Sequence, residues 1–332
     1  MDNIRRRVDA AAAGSGDDVP IRGQVRLVGH RRVSHGLYRT IRDDLPPDAE
    51  FIRDLEAYGL MLPEGAVFTH VTAARLLGWQ LPALPEQVPV FVAVRGEFNP
   101  RRPGLICSRL THPAAGTSCH GLPVEGAEEI LLRAARDLGV LDLVIMIDSA
   151  LAMHHLDRRR LEALLETRRP GVRLLREAYA LANPASESGA ESLLRVFHEV
   201  MQVTVDPQID LFDDRGRFLG RADLLVRGTT FVHEYDGAHH RSARQHRTDL
   251  RRERSWAGTA YQRRGFTLDD LLNHPAVLMH ELDRALDRPH RADRLRRWRR
   301  LVSDSLYSEP GRARVVNRWR RAWRDADWTG TA

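Results

Sequence analysis

With 332 residues, 42% of them hydrophobic, the chain has material for two ordinary buried cores. Its net charge of +6 favours nucleic acid as a partner over an acidic small substrate. All 51 basic residues are Arg, which reads either as codon bias or as a surface suited to phosphate, whose oxygens the guanidinium fork meets in pairs.

No apolar run approaches transmembrane length, and the opening MDNIRRRVDAAAAGSGDD lacks the apolar stretch of a secretory signal. A flexible leader over 1–20, no membrane partner and a cytoplasmic location are therefore expected. Cys107 and Cys119 lie near His112 and His120, but the spacing fits no common zinc finger. Two thiols of a reduced compartment are the simpler reading.

In chain order, IRGQVRLVGHRRVSHGLYR (21–39) reads as the end of a helix-turn-helix unit or as a short wing. AVFTHVTAARLLGW (66–79) predicts a short strand followed by a helix, with Thr69 or Thr72 as its cap. VPVFVAVR (88–95) is a buried strand by composition, and 104–110 is a candidate partner. Apolar spacing of three and four places one helix near 125–137 and a more apolar one over 140–153. Two further helical stretches flank Pro170.

The composition then changes. NPASESGAES (183–192) is small and polar, a hinge or a helix start, and helix continues to about 201. Strands are expected over 203–212 and 217–226, joined by the turn sequence Asp213-Asp214-Arg215-Gly216. A third strand over 229–236, a basic helix over 241–257, a fourth strand over 259–264 and helix over 267–287 complete the pattern. The tail from 291 is Arg-rich, with Trp298, Trp319, Trp323 and Trp328. Such a set either binds phosphate and stacks bases or packs its Trp residues while the Arg stays solvated; packing is the favoured expectation.

The chemistry concentrates in GRADLLV and FVHEYDGAHH (231–240). On adjacent strands of one hairpin, Asp223 and Glu234 share a face near one end. Converging carboxylates repel unless a divalent cation sits between them, and Glu191 on the preceding helix is positioned to add a third oxygen. Hard oxygens suit magnesium or manganese, which support phosphodiester hydrolysis. His240 is placed to hold a proton beside them, and Gly237 to let the chain turn. The plainer reading is that strand-end acids and neighbouring imidazoles are solvated.

The run Ser188-x-x-Glu191-Ser192, then Gln208, then Arg221-Ala222-Asp223, then EYDGAHH (234–240), then a basic D-x-x-R helix with Asp249 and Arg252 resembles the DUF559 group. That group is related to the very-short-patch-repair endonucleases within the PD-(D/E)XK superfamily. The resemblance covers about 186–288. It implies Glu191, Asp223 and Glu234 as metal ligands, Gln208 and His240 as catalytic partners, and Asp236, Gly237 and His239 as further motif positions. Where the superfamily usually carries Lys, this chain has Asp236, so Arg, Gln208 or His240 would face the phosphate. SWAGTAYQRRGF (255–266) departs from the usual strand entry, which bears on Arg263 and Arg264. TAARLLGWQLP (72–82), PVFVAV and GLPVEGAEEILLRAARDLGVLDLVIMIDSAL (121–151) resemble the AbiEi-type antitoxins, over about 30–175, with only RRVSHGLYR left of their winged helix.

The expectation is an α+β chain: a leader (1–20), an antitoxin-like mixed α/β domain (21–180), a restriction-endonuclease-like mixed sheet flanked by helices (186–288), and an Arg/Trp helical tail (289–332). Its expected function is a Mg2+- or Mn2+-dependent DNA endonuclease in defence, repair or a toxin–antitoxin setting, where a cognate toxin is a further candidate partner. The alternatives are a non-catalytic DNA-binding regulator of the antitoxin type on a nuclease fold, and a protein-interaction scaffold.

Overall fold

The computed structural model describes residues 19–23, 28–96, 102–112, 117–237, 256 and 258–324, without the side chains of 323 and 324. Its architecture is mixed α/β, with three sheets and, among the described residues, eleven helices. None of these helices is long and apolar enough to cross a membrane. The chain divides into two compact units: 1–78 with 84–134 and 314–332, and 79–83 with 135–313.

In the first unit, β1 (Ile21–Arg22), β2 (His30–Ser34) and β3 (Leu37–Thr40) form an antiparallel sheet in the order β1-β3-β2. The described residues of 21–39 thus lie in strands and their turns, as in a wing, and not at the end of a helical unit. Leu37 is fully buried and Arg39 nearly so. The Arg39 guanidinium is accommodated because Nε donates to the Arg53 carbonyl at 2.9 Å and Nη2 pairs with Glu56. Both partners lie on α1 (Pro47–Gly59), a helix the sequence reading passed over. Its signals were present: Pro47 at the first position, then Asp48 and Glu50 in the first turn.

A five-stranded mixed sheet follows in the order β6-β5-β4-β8-β7, from β4 (Val67–Phe68), β5 (Val90–Val94), β6 (Leu105–Arg109), β7 (Thr117–Cys119) and β8 (Leu122–Val124). Two helices accompany it, α2 (His70–Leu76) and α3 (Ala127–Ala134), the latter burying Ile130, Leu131 and Leu132 completely. Neither Thr caps α2 through its hydroxyl. Thr69 stands at the cap position, but its Oγ1 donates to the buried Glu125, and Thr72 Oγ1 accepts from the Phe91 N–H at 2.9 Å. Trp319, 2% exposed, lies edge-on to Phe91 with ring centres 5.5 Å apart.

The second unit begins with α4 (Val140–Ala152), whose residues from Val140 to Leu151 are all buried. α5 (Arg158–Leu165) and α6 (Val172–Tyr179) flank Pro170 as expected. α7 (Gly189–Val200) precedes a four-stranded sheet of β9 (Val205–Phe212), β10 (Phe218–Val226), β11 (Phe231–Tyr235) and β12 (Gln262–Phe266), in the order β12-β11-β10-β9. The first three strands run antiparallel, and β12 pairs parallel with β11. Asp213 shapes the β9–β10 turn by accepting the N–H groups of Arg215 and Arg217 at 2.9 and 2.8 Å.

The expected helix over 267–287 is two helices, α8 (Leu268–Asn273) and α9 (Pro275–Ala285), because Pro275 restarts the chain at a helical first position. α10 (Ala292–Ser303) buries Trp298, which stands edge-on to Phe197 at 5.1 Å and donates to the Leu271 carbonyl at 2.8 Å. α11 (Glu309–Arg324) begins here, and its residues from 314 belong to the first unit. The favoured packing of Trp298 and Trp319 is what the structure has; the Trp323 and Trp328 side chains and the basic stretch 241–255 lie outside the described residues. Two glycines allow the turn before α11. A Cβ on Gly311 would lie 2.0 Å from the Ser305 carbonyl oxygen, and one on Gly139 2.3 Å from that of Asp304.

The sequence reading put a boundary at 180–186, whereas 135–182 group with the C-terminal sheet. A buried ion pair spans that point. Asp148 of α4 accepts from Arg195 Nη2 and Ser192 Oγ of α7, both at 2.7 Å, and from the Asn183 N–H at 2.6 Å. Burial raises the Asp148 pKa, and Arg195 opposes that shift. Removing one partner strands a buried charge. Arg195→Met is therefore expected to lose about 3–5 kcal/mol of stability, measured by urea denaturation. The Asp148→Asn/Arg195→Met pair should lose less than the sum of the single changes.

Candidate active site

The S-x-x-E run at the start of α7 is a capping arrangement before it is anything else. Ser188 Oγ accepts from the Glu191 N–H at 3.2 Å. The Glu191 carboxylate reaches back to the Glu187 N–H at 2.9 Å and the Ser188 hydroxyl at 2.8 Å. Fixed in this way at the head of the helix, Glu191 also accepts from Gln208 Nε2 at 3.0 Å.

Gln208 lies in β9 between the pairs Ile209↔Ala222 and Pro207↔Leu224, so it stands across from Asp223 of β10. Its φ is +55°, a left-handed conformation that is strained for a non-glycine residue. On the other side of β10, Leu224 pairs with His233 and Leu225 with Val232; one pair further along, Asp223 is opposite Glu234. Directly opposed residues project to the same side of a sheet. That register sets Asp223 and Glu234 opposite each other on neighbouring strands, while Glu191 comes from the start of α7.

The three carboxylates are not gathered into one ligand cluster. Among the described residues, the group whose ligand atoms all lie within 4.8 Å of one another is His112, Glu125 and Glu129 of the first unit. Asp223 Oδ2 instead accepts from the Tyr235 N–H at 2.9 Å. Glu234, 4% exposed, pairs with Arg263 Nε. Arg263 lies across from Val232 in the parallel β11–β12 pair, two residues before Gly265, which faces Glu234. Its side chain crosses diagonally to the carboxylate. The sequence placed the fourth strand at 259–264, and that shift concealed Arg263 as the partner of Glu234.

Asp236 closes the site. Its N–H donates to the Phe266 carbonyl at 2.7 Å, and its side chain lies against Gly265, with Asp236 Cβ 3.4 Å from where a Cβ on Gly265 would sit. Gly237 is not among the positive-φ glycines, so the sharp turn expected from its backbone freedom is not how it acts. A Cβ there would touch the Tyr235 ring at 3.4 Å. His239, His240, Asp249 and Arg252 lie outside the described residues.

Electrostatically the site is under tension. Burial lifts the Glu191 carboxyl above its ordinary value and the nearby Asp223 charge adds to the lift, while the Glu187 and Ser188 hydrogen bonds oppose it. Behind the sheet, His198 Nδ1–H donates to the Leu194 carbonyl at 2.7 Å, leaving Nε2 to accept from His233 Nδ1–H at 2.7 Å. Burial pushes His198 down to about 4 and depresses His233 as well, so this pair is neutral at physiological pH.

The cluster in the first unit is already served. Glu125 accepts from Arg133 Nε and Nη2 at 2.7 and 2.8 Å, and from Thr69, with His112 Nε2 at 3.3 Å. The cysteines do not join it. Burial pushes the Cys107 thiol up to about 12, and Cys119 Sγ donates to the Leu76 carbonyl at 3.1 Å.

The raised Glu191 pKa has a sign that is open to measurement. Ionising this carboxyl costs the fold. That cost is absent below its ordinary value of 4.5 and grows as pH rises through the raised one. Glu191→Gln keeps a side chain able to cap the helix and removes the charge. Its denaturation midpoint is expected to exceed that of the unaltered protein at pH 8, with the difference closing by pH 4. A lower midpoint at pH 8 would mean that capping outweighs the tension.

No known protein family, curated protein or solved structure matches the chain.

Proposed function

We propose that the second unit is a divalent-metal-dependent DNA endonuclease on a restriction-endonuclease-like sheet, acting in defence, repair or a toxin–antitoxin setting. One observation carries this reading: Glu191, Gln208 and Asp223, from a helix start and two strands, meet at one place, and Glu234 stands opposite Asp223 in register. The donors are carboxylate and amide oxygens, the hard ligands that magnesium and manganese take. The repulsion between Glu191 and Asp223 is the kind that a cation relieves.

Magnesium or manganese bound by Glu191, Asp223 and Glu234 would supply Lewis-acid stabilisation of the charge that gathers on a phosphodiester during hydrolysis. The remaining work falls to side chains of the chain. Gln208 orients the Glu191 carboxylate through its amide. Arg263, tethered to Glu234, provides a permanent cation in a site whose usual Lys position is Asp236. His240, by the resemblance, carries a proton at the border of the site.

The Arg263–Glu234 ion pair also favours a second reading, in which the guanidinium replaces a metal and the unit is a non-catalytic DNA-binding regulator. Supercoiled-plasmid cleavage in magnesium and in manganese separates the two. The endonuclease reading expects nicking by the unaltered protein and a loss of at least about 100-fold in Asp223→Ala. It also expects Arg263→Met to bind Mn2+ more tightly by calorimetry while cutting more slowly, since Glu234 is released but the cation is lost. An uncut plasmid with both metals leaves the regulator.

A further inference from the structure

We infer that the outer face of α10 is a binding surface for the phosphate backbone of duplex DNA. Arg294, Leu295, Trp298 and Leu301 form the buried side of this helix. Arg296, Arg297, Arg299 and Arg300 are all exposed on the other. Arg294 pairs inward with Asp283 and Arg291 pairs with Asp293 at 3.5 Å, whereas none of the four outer arginines is ion-paired with a described residue.

Such a stripe works against its own helix. Arg296 and Arg300 are four apart, and the pairs Arg296/Arg299 and Arg297/Arg300 are three apart; like charges at these spacings repel by about 0.2–0.5 kcal/mol each. A polyanion reverses that sign. The stripe spans about 6 Å of helix axis, a length over which duplex DNA presents roughly two phosphates per strand. Guanidinium forks bind phosphate oxygens bidentately.

The surface also lacks what other partners need. The exposed large hydrophobic residues of the protein do not include any of α10, so the stripe has no apolar anchor for a protein hot spot or for insertion into a lipid surface. It is rigidly held. Trp298 packs on Phe197 of α7, the helix whose first turn carries Glu191, and Arg294 is gripped by Asp283 through two contacts of 2.9 Å. The choice of DNA among polyanions rests on the endonuclease reading; the stripe itself does not.

The test is fluorescence anisotropy with a labelled 20-base-pair duplex in EDTA, across a series of salt concentrations, using the full chain. Arg296→Gln/Arg299→Gln/Arg300→Gln is compared with Arg158→Gln/Arg159→Gln/Arg160→Gln, which removes three exposed charges from α5. The α10 variant is expected to bind at least tenfold more weakly at low salt. Its plot of log affinity against log salt should be shallower by about three. The α5 variant should bind as the unaltered protein does, and Lys at the three α10 positions should restore most of the binding.

Equal losses in both Gln variants would reduce the effect to overall charge and overturn the inference. So would an unchanged slope, or binding to phosphatidylserine vesicles with none to the duplex. Because no metal is present, the outcome is separable from cleavage. Stripe-dependent binding with an uncut plasmid removes the endonuclease reading alone; cleavage with stripe-independent binding removes this one alone.

Discussion

Helix α7 is buried along nearly its whole length, and every polar group on it must then find a partner within the protein. Arg195 finds Asp148, His198 finds His233, and Glu191 finds Gln208. Each of these bonds fixes a different element against the same helix: α4, β11 and β9. The candidate site is assembled as a by-product of that demand. Once α7 is seated, the position of its first turn relative to the strand ends is no longer free.

Much of this was legible in the sequence where one physical signal acted alone. The β9–β10 hairpin followed from two β-rich runs and the turn sequence Asp213-Asp214-Arg215-Gly216, and α4 from its strongly apolar composition. Signals failed where two competed. Pro46-Pro47 reads as a break, yet Pro47 opens α1. Thr69 has a capping residue's place, but a buried carboxylate, invisible without the tertiary fold, takes its hydroxyl. Polar NPASESGAES reads as a hinge or a helix start; α7 starts within it at Gly189, and no free hinge remains, since Asn183 and Ser192 are both bonded to Asp148. The partners of Glu234 and Asp223 depend on a strand register that an error of two residues is enough to hide.

A chain without Lys solves its buried carboxylates in a particular way. Glu125, Asp148, Glu234 and Asp283 each meet a guanidinium. The planar fork stays charged at any physiological pH and serves two oxygens at once, which an ammonium does less well in a confined space. In the first unit this closes the His112–Glu125–Glu129 group with Arg133. In the second, Arg263 brings a fixed positive charge to the candidate site, so any cation arriving there must share Glu234 with it.

The segment after α10 has a consequence for how the protein can be divided. Asp142, fully buried at the start of α4, accepts the Leu306 N–H at 3.0 and 3.1 Å, and Gly139 and Gly311 leave room for no side chain along that segment. Phe197 and Asp283 are likewise completed by Trp298 and Arg294. A fragment cut at 288 would therefore expose an aromatic face, leave Asp283 without Arg294 and Asp142 without the Leu306 N–H, and open the start of α4. The sheet with its carboxylates is not a cassette that can be lifted out and fused elsewhere; its transferable module runs from the start of α4 to the start of α11.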